Sequence, residues 1–353
     1  MNFKIYLQTK TNTYLEFFGL PFDDFKVGQK FAHRPGITIS QQDNKDEALD
    51  TINSAQLHYD SAYAHQTEWK NCLGVSTLTV QKVIGMTSKT FFRKANITRF
   101  DNIAMTHPVF DGDTLYAETE ILEKTNTNAN PECGTLKVKT TGINQKNQVV
   151  TTLVYDVSIY KKGQHPIEKM YHNDFTEVND DKFNGYKTTK DGKFQEETGI
   201  FYEDFIEGET YLHQPGKTFT EGECLTHSLR SLDWNPLYID KNLTTNYLHN
   251  KSVLINPSYL VGAATALSTR TCGRVVANLA WENIQLLQAI NVGDTIYAET
   301  EVLNKRESKS RPDQGIMHVE TRARNQNKDI VLSYERIFLI YKTGKGPYGI
   351  GNY

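Results

Sequence analysis

What the chain lacks narrows its class first. It has only 4 cysteines in 353 residues, Cys72, Cys133, Cys224 and Cys272, and no two of them form a Cys-x-x-Cys pair. That excludes a disulfide scaffold, and reduced, buried thiols are the expectation. No run approaches the ~20 apolar residues needed to cross a bilayer, and the opening MNFKIYLQTKTNTYLEFFGL has no continuous apolar stretch of the signal-peptide kind. A cytoplasmic protein without a membrane partner is expected. An excess of charge is also missing: 39 basic residues face 42 acidic ones, for a net charge of -3. Such a surface has no global field to hold DNA or RNA, so no nucleic-acid partner is expected. His33, His65, His107, His227 and His249 fall at no metal-ligand spacing, and no metal is expected.

What is present is an ordinary globular mixture, 38% hydrophobic and 23% charged, with a mean hydropathy of -0.55. Disordered and fibrous chains are excluded. At roughly 100–200 residues per domain, the length fits two domains. Displacing the sequence against itself by 180 or 181 positions shows that they are copies of one another. Asp23-Asp24-Phe25-Lys26-Val27-Gly28 meets Glu203-Asp204-Phe205-Ile206-Glu207-Gly208, and Pro35-Gly36 meets Pro215-Gly216, both at 180. GDTLYAETE at 112–120 meets GDTIYAETE at 293–301, and Ile159-Tyr160-Lys161 meets Ile340-Tyr341-Lys342, both at 181. The expected organisation is an N-terminal extension (1–19), a first copy (20–163), a linker (164–199), a second copy (200–344) and a short tail (345–353). The linker reading rests on polar runs such as Asn179-Asp180-Asp181-Lys182 and on weak apolar periodicity.

Each copy predicts helices followed by a meander of strands. Ser40-x-x-Asp43 and Thr220-x-x-Glu223 have the form of capping boxes, opening helices with Ala48 and Ile52, or Leu225, Leu229 and Leu232, on one face. A more apolar helix follows at 78–92 and 259–267, where Gly85 and Gly262 predict close approach of a sheet. Runs such as Thr114-Leu115-Tyr116-Ala117-Glu118 and Thr295-Ile296-Tyr297-Ala298-Glu299 then alternate with period two. The class is α+β, one buried helix under a curved antiparallel sheet.

The segment Asp233-Trp234-Asn235-Pro236-Leu237-Tyr238-Ile239-Asp240, with the Pro-Val-Phe-x-Gly-Asp-Thr-Leu run at 108–115, resembles the signature of the MaoC-like, R-specific enoyl-CoA hydratases. The resemblance spans both copies and implies a double hot-dog fold, each copy a long helix wrapped by an antiparallel sheet. It further implies an acyl-CoA substrate that carries its own coenzyme A, with no other cofactor. The family's Asp and His are divided between the copies: the first has His58 with Asn53 five residues earlier, and the second has Asp233 with Tyr238 in the histidine's place. Asn before a Leu-His pair is similar to the two-copy mesaconyl-CoA and itaconyl-CoA hydratases, which act on branched dicarboxylic esters. The opening Lys10-Thr11-Asn12, Phe17-Phe18 and Asp23-Asp24-Phe25 is similar to that subfamily's too.

Hydration of an enoyl thioester adds water at the β carbon and a proton at the α carbon while negative charge builds on the thioester oxygen. It wants a group that titrates near neutrality, a polar group to orient water, and N–H donors at the oxyanion. Histidine titrates there unaided, whereas tyrosine, with a pKa near 10, does not. The chemistry is therefore expected in the first copy, on His58 assisted by Asn53, with Asp233 as the weaker candidate. Asp60 and Asp240 are expected to cap the short helices that follow them. The resemblance implies a backbone oxyanion donor eighteen residues after the histidine, which is Ser76 in the first copy and Asn256 after Tyr238 in the second. Pro257 follows Asn256 and has no N–H to offer, which again favours the first copy. The second copy, with Tyr238 and Asn235, is expected to supply walls and CoA contacts. Its cationic hairpin, with Lys305, Arg306, Lys309 and Arg311, is the candidate for the CoA phosphates; the corresponding loop of the first copy, 124–133, carries one lysine. A thioesterase on the same fold, and an acyl-CoA-binding protein with no turnover, are the alternatives. Edge-rich antiparallel sheets make a homodimer the expected assembly.

Overall fold

The chain opens with a hairpin of β1 (Tyr6–Lys10) and β2 (Thr13–Glu16). The first copy then runs through β3 (Lys30–Thr38), α1 (Gln41–Asp50), α2 (Ser61–Gln66), α3 (Ser76–Met86), β4 (Lys94–Met105), β5 (Thr114–Asn126), β6 (Cys133–Asn144) and β7 (Val149–Tyr160). After α4 (Pro166–Met170), β8 (Thr176–Glu177) and a second hairpin of β9 (Tyr186–Thr188) and β10 (Phe194–Glu196), the pattern repeats. The second copy has β11 (Thr210–Leu212), β12 (Lys217–Thr218), α5 (Glu221–Arg230), α6 (Pro236–Ile239), α7 (Lys241–Asn246), α8 (Pro257–Leu267), β13 (Val275–Leu286), β14 (Thr295–Glu307), β15 (Gln314–Asn325) and β16 (Ile330–Tyr341). The computed structural model describes residues 3–126, 130–170, 175–197 and 199–350. Part of the first copy's 124–133 loop and the end of the C-terminal tail, 351–353, lie outside the described residues.

The chain forms two units, one built on 18–173 with 184–197, the other on 198–353 with 6–17 and 174–183. In the first unit the strand order is β4-β7-β6-β5-β3-β10-β9. Alternation along the strands puts Leu115, Ala117 and Ile121 of β5, Leu136 and Val138 of β6, and Leu153, Tyr155 and Val157 of β7 in the buried core. Val83 of α3 is buried among them, with Val80 and Ile84 packed alongside. Each such leucine, isoleucine or valine stabilises the unit by roughly 1.5–3 kcal/mol. The second unit repeats the design in the order β13-β16-β15-β14-β11-β2-β1-β8, with Leu260, Ala263 and Ala264 of α8 packed with Ile296, Ala323 and Leu332. One apolar helix laid on an antiparallel sheet that is buried on that face is the hot-dog arrangement, so the chain is α+β with two hot-dog units in tandem.

The hairpins are exchanged with respect to sequence. β9 and β10, which precede the second copy, belong to the first unit, where β10 runs parallel to β3. β1 and β2, which precede the first copy, belong to the second, where β2 runs parallel to β11. Each hairpin ends in a buried glutamate. Glu196 Oε1 lies 3.0 Å from His33 Nδ1 and accepts from the Thr90 hydroxyl at 2.6 Å, while His33 Nε2 meets the Thr119 hydroxyl at 2.8 Å. In the second unit Glu16 Oε1 lies 2.7 Å from His213 Nδ1 and accepts from the Thr271 hydroxyl, and His213 Nε2 meets Thr300 at 2.8 Å. Burial of these ionisable groups is tolerable because every one is paired. The stretch 164–199 read as linker thus holds a strand pair and a buried carboxylate.

Several local expectations are corrected. Gly85 and Gly262 do not admit a sheet: a Cβ on either would meet nothing within 4 Å. The close approaches are at Gly134 and Gly315, where a Cβ would strike the Phe22 and Tyr202 rings. The helix expected at 78–92 ends at Met86. Ile52 is not on the buried face of α1 but past its end, in the left-handed region at φ 57° and 91% exposed. Leu232 repeats this past α5 at φ 62°, and Leu229 is exposed as well. Ser40 and Asp43 form a full capping box, but Thr220 does not. Its hydroxyl donates to Glu223 Oε2 at 3.0 Å, because the other oxygen of that carboxylate is held by Lys217 at 2.7 Å and Tyr259 at 3.0 Å.

Candidate active site

In the first copy α1 ends at Asp50, and a short turn over Gln56–His58 brings the histidine back toward the start of α3. Asn53 Oδ1 accepts from the Ala55 N–H at 3.0 Å, an Asx turn that shapes this bend and leaves the Asn53 amide NH2 without a partner among the described residues. His58 is half-buried, and its Nδ1 lies 2.7 Å from the Leu73 carbonyl. A carbonyl only accepts, so Nδ1 carries the hydrogen and Nε2 of the neutral ring keeps its lone pair. No described residue occupies Nε2.

The organiser of this loop is Asn44, a residue the sequence reading passed over. It is 2% exposed on the inner face of α1, one turn before the buried Ala48. Its amide donates to the His58 carbonyl at 2.8 Å and to the Leu73 carbonyl at 3.1 Å, and its Oδ1 accepts from the Val75 N–H at 2.7 Å. Gln41 adds a second donor to the His58 carbonyl at 2.8 Å. One buried amide therefore fixes the histidine loop, the carbonyl that sets its tautomer, and the entry to α3. The only sequence signal was an Asn four residues before Ala48 on a helix, at a position where the second copy has Cys224.

Val75 begins α3 without a side-chain cap, and the N–H groups of Ser76, Thr77 and Leu78 have no acceptor among the described residues. Free donors and the positive end of an eleven-residue helix suit a developing anion. Beside them is a cavity of about 240 Å³ whose walls include Leu73, Gly74, Ser76, Trp69 and the 105–109 segment. Gly74 is required here, since a Cβ would lie 2.8 Å from the Val109 carbonyl that its own N–H contacts.

The second copy closes the equivalent place. Asn256, 4% exposed, caps α8, its Oδ1 accepting from the Ser258 N–H at 2.9 Å and hydroxyl at 2.6 Å, and Pro257 occupies the first helical position. Asp233, the weaker catalytic candidate, has its Oδ2 accepting from the Asn256 amide at 2.6 Å. Asn235 caps α6 by accepting from the Leu237 N–H at 3.0 Å, and the Tyr238 hydroxyl is bound to no described residue. Asp60 and Asp240 cap α2 and α7. In the β14–β15 hairpin, Lys305 Nζ is taken up by the carbonyls of Tyr202 and Glu203 at 3.2 and 2.9 Å, so it is not the free cation expected. Arg306, Lys309 and Arg311 remain exposed and without ion pairs among the described residues.

A family described as mesaconyl-CoA hydratase matches residues 7–167 and 174–345. A β-methylmalyl-CoA dehydratase of Chloroflexus aurantiacus is 24% identical over 119 residues, 34% of each chain. A mesaconyl-CoA hydratase of Cereibacter sphaeroides is 28% identical over 159 residues, 41% of this chain and 42% of that one. The aligned parts thus span about a third to two fifths of these relatives. Among solved structures, a double hot-dog protein of Mycobacterium tuberculosis is 17% identical with a TM-score of 0.39, covering 92% of this chain and 99% of that one.

Proposed function

We propose that this chain, which belongs to the mesaconyl-CoA hydratase family, adds water across the α,β double bond of a short enoyl-CoA thioester, or removes it from the 3-hydroxyacyl-CoA, at a site built by its first copy. His58 Nε2 takes a proton from water as the oxygen bonds the β carbon. The double-bond electrons move toward the thioester oxygen, where the N–H groups of Ser76 and Thr77 receive the charge. The enolate then collapses and takes at its α carbon the proton His58 carries. The balance is one water added, with no redox change and no metal step. The free amide of Asn53 orients the water. The observation that carries this reading is the Nδ1–H donated to Leu73, which leaves the Nε2 lone pair free on a loop that Asn44 ties to an uncapped helix start.

Asp233, held by Asn256 next to Pro257, serves as a structural partner in this scheme, and Asn235 and Tyr238 take no part in the proton transfers. The names of the relatives favour a branched dicarboxylic acyl group. Four free, buried cysteines support a reducing, cytoplasmic setting. The test follows loss of enoyl-thioester absorbance with mesaconyl-, itaconyl- and crotonyl-CoA in wild type, His58→Ala and Asp233→Ala. Turnover lost in His58→Ala and retained in Asp233→Ala supports the assignment, and the reverse outcome overturns it.

A further inference from the structure

Two polar side chains in the first copy's cavity have no task in the chemistry above. Thr79 of α3 is 3% exposed and lines the cavity, yet its hydroxyl makes no hydrogen bond to any described residue. The fold does not require a hydroxyl here: 181 positions on, the second copy has Leu260, 4% exposed and packed in the core. His107, an exposed residue, lines the same cavity and is the one ionisable side chain among its lining residues. Its imidazole has no partner among the described residues, and the second copy has Gln288 at the matching position. Thr106 beside it gives its hydrogen to the Val149 carbonyl at 2.6 Å.

The remaining walls near them, Trp69, Met105, Pro108 and Val109, are apolar. At about 240 Å³ the space falls below the ~300–1,000 Å³ typical of sites for drug-sized ligands, so it suits a short acyl group rather than a long chain. A cavity of this size, with the Thr79 and His107 donors set among these apolar side chains, fits a short acyl group that ends in an acceptor. Resting on the hydratase reading, we propose that Thr79 and His107 form a subsite that hydrogen-bonds a carboxylate at the far end of the acyl group, and so set substrate choice. The Thr79 hydroxyl donates to one carboxylate oxygen and a His107 ring N–H to the other, a pattern that both the neutral and the protonated ring can supply.

The matched probes are fumaryl-CoA and crotonyl-CoA, which differ in a carboxylate or a methyl at the far carbon. The expected result is that wild type favours fumaryl-CoA in kcat/KM, and that Thr79→Val and His107→Leu each lower the fumaryl-to-crotonyl ratio by roughly tenfold or more. Thr79→Ser, which restores the hydroxyl, returns the ratio toward wild type. A wild type that favours crotonyl-CoA, or variants that slow both esters equally, overturns the subsite while leaving the hydratase reading in place. If wild type turns over neither ester, the hydratase reading fails, and calorimetric binding of the two esters decides the subsite. Preference for fumaryl-CoA that is lost in Thr79→Val upholds it, and equal affinities overturn it.

Discussion

At the scale of single residues, the difference between the copies comes down to what holds the start of the central helix. In the first copy Asn44 reaches from α1 to the His58 and Leu73 carbonyls and the Val75 N–H. In the second, Cys224 stands at the aligned position, and Asn256 caps the helix with its own side chain. Asn44 touches no substrate in the proposed scheme and acts as a positioning residue through His58. Asn44→Ala is expected to lower kcat by about a hundredfold, the cost of displacing a catalytic group by about an ångström, with a smaller change in KM. Steady-state kinetics that show KM rising alone would assign Asn44 to binding instead. His58→Gln keeps a polar side chain but loses the base, and turnover is expected to fall by about 10²–10⁴ in the absorbance assay. His58 was legible in the sequence because it sits in a motif. Asn44 was not, because nothing local distinguishes a buried polar residue on an amphipathic helix from an exposed one until the partner carbonyls, fourteen and twenty-nine residues away, are in place.

Strands and helices were read more easily than the segments that join them. The alternation in β5 and β14 gave away the sheet, since period two is a local property. The hairpins at 6–16 and 186–196 escaped because their pairing is long-range: β10 finds β3, and β2 finds β11, across more than 150 residues. Their buried glutamates make this exchange testable. Burial alone would raise the Glu196 carboxyl, but the charge and hydrogen bond of His33, with Lys89 and Thr90, outweigh it and hold the group below its usual value. The folded state therefore takes up this proton at lower pH than the unfolded chain does. The stabilisation is present above about pH 4.5 and is lost as pH falls through the depressed value. Glu196→Gln is expected to flatten the decline of thermal stability below pH 4.5. Glu196→Ala, which strands His33 in the core, is expected to cost about 3–5 kcal/mol in denaturant unfolding at neutral pH. If acid sensitivity is unchanged in Glu196→Gln, the pair contributes nothing to it.

For the whole molecule, duplication has produced two frames of the same fold and, in the proposed scheme, one place to do chemistry. The repeat was plain in sequence, and so were the divided motif and the missing N–H of Pro257; that the Asn256 side chain caps α8 while α3 starts uncapped became visible only in three dimensions. Ser76, Thr77 and Leu78 offer N–H groups that no described residue uses, whereas Pro257 lacks an N–H and Asn256 occupies the donor of Ser258. Copying Asn256-Pro257 into the first copy, as Val75→Asn with Ser76→Pro, transfers that closure directly. Proline at the first helical position is compatible with the fold, as α8 demonstrates, so the variant is expected to retain its unfolding midpoint within a few degrees. Its turnover is expected to fall about 10²–10³-fold, the usual loss for one oxyanion donor. Replacing Asn256 and Pro257 by Val and Ser should restore nothing in a His58→Ala background, because Tyr238 supplies no base. Calorimetry on the wild type is expected to give one acyl-CoA ester bound per chain. Two equal sites per chain, or activity that survives closure of α3, would mean that the second copy carries catalysis by a route its capped helix does not reveal.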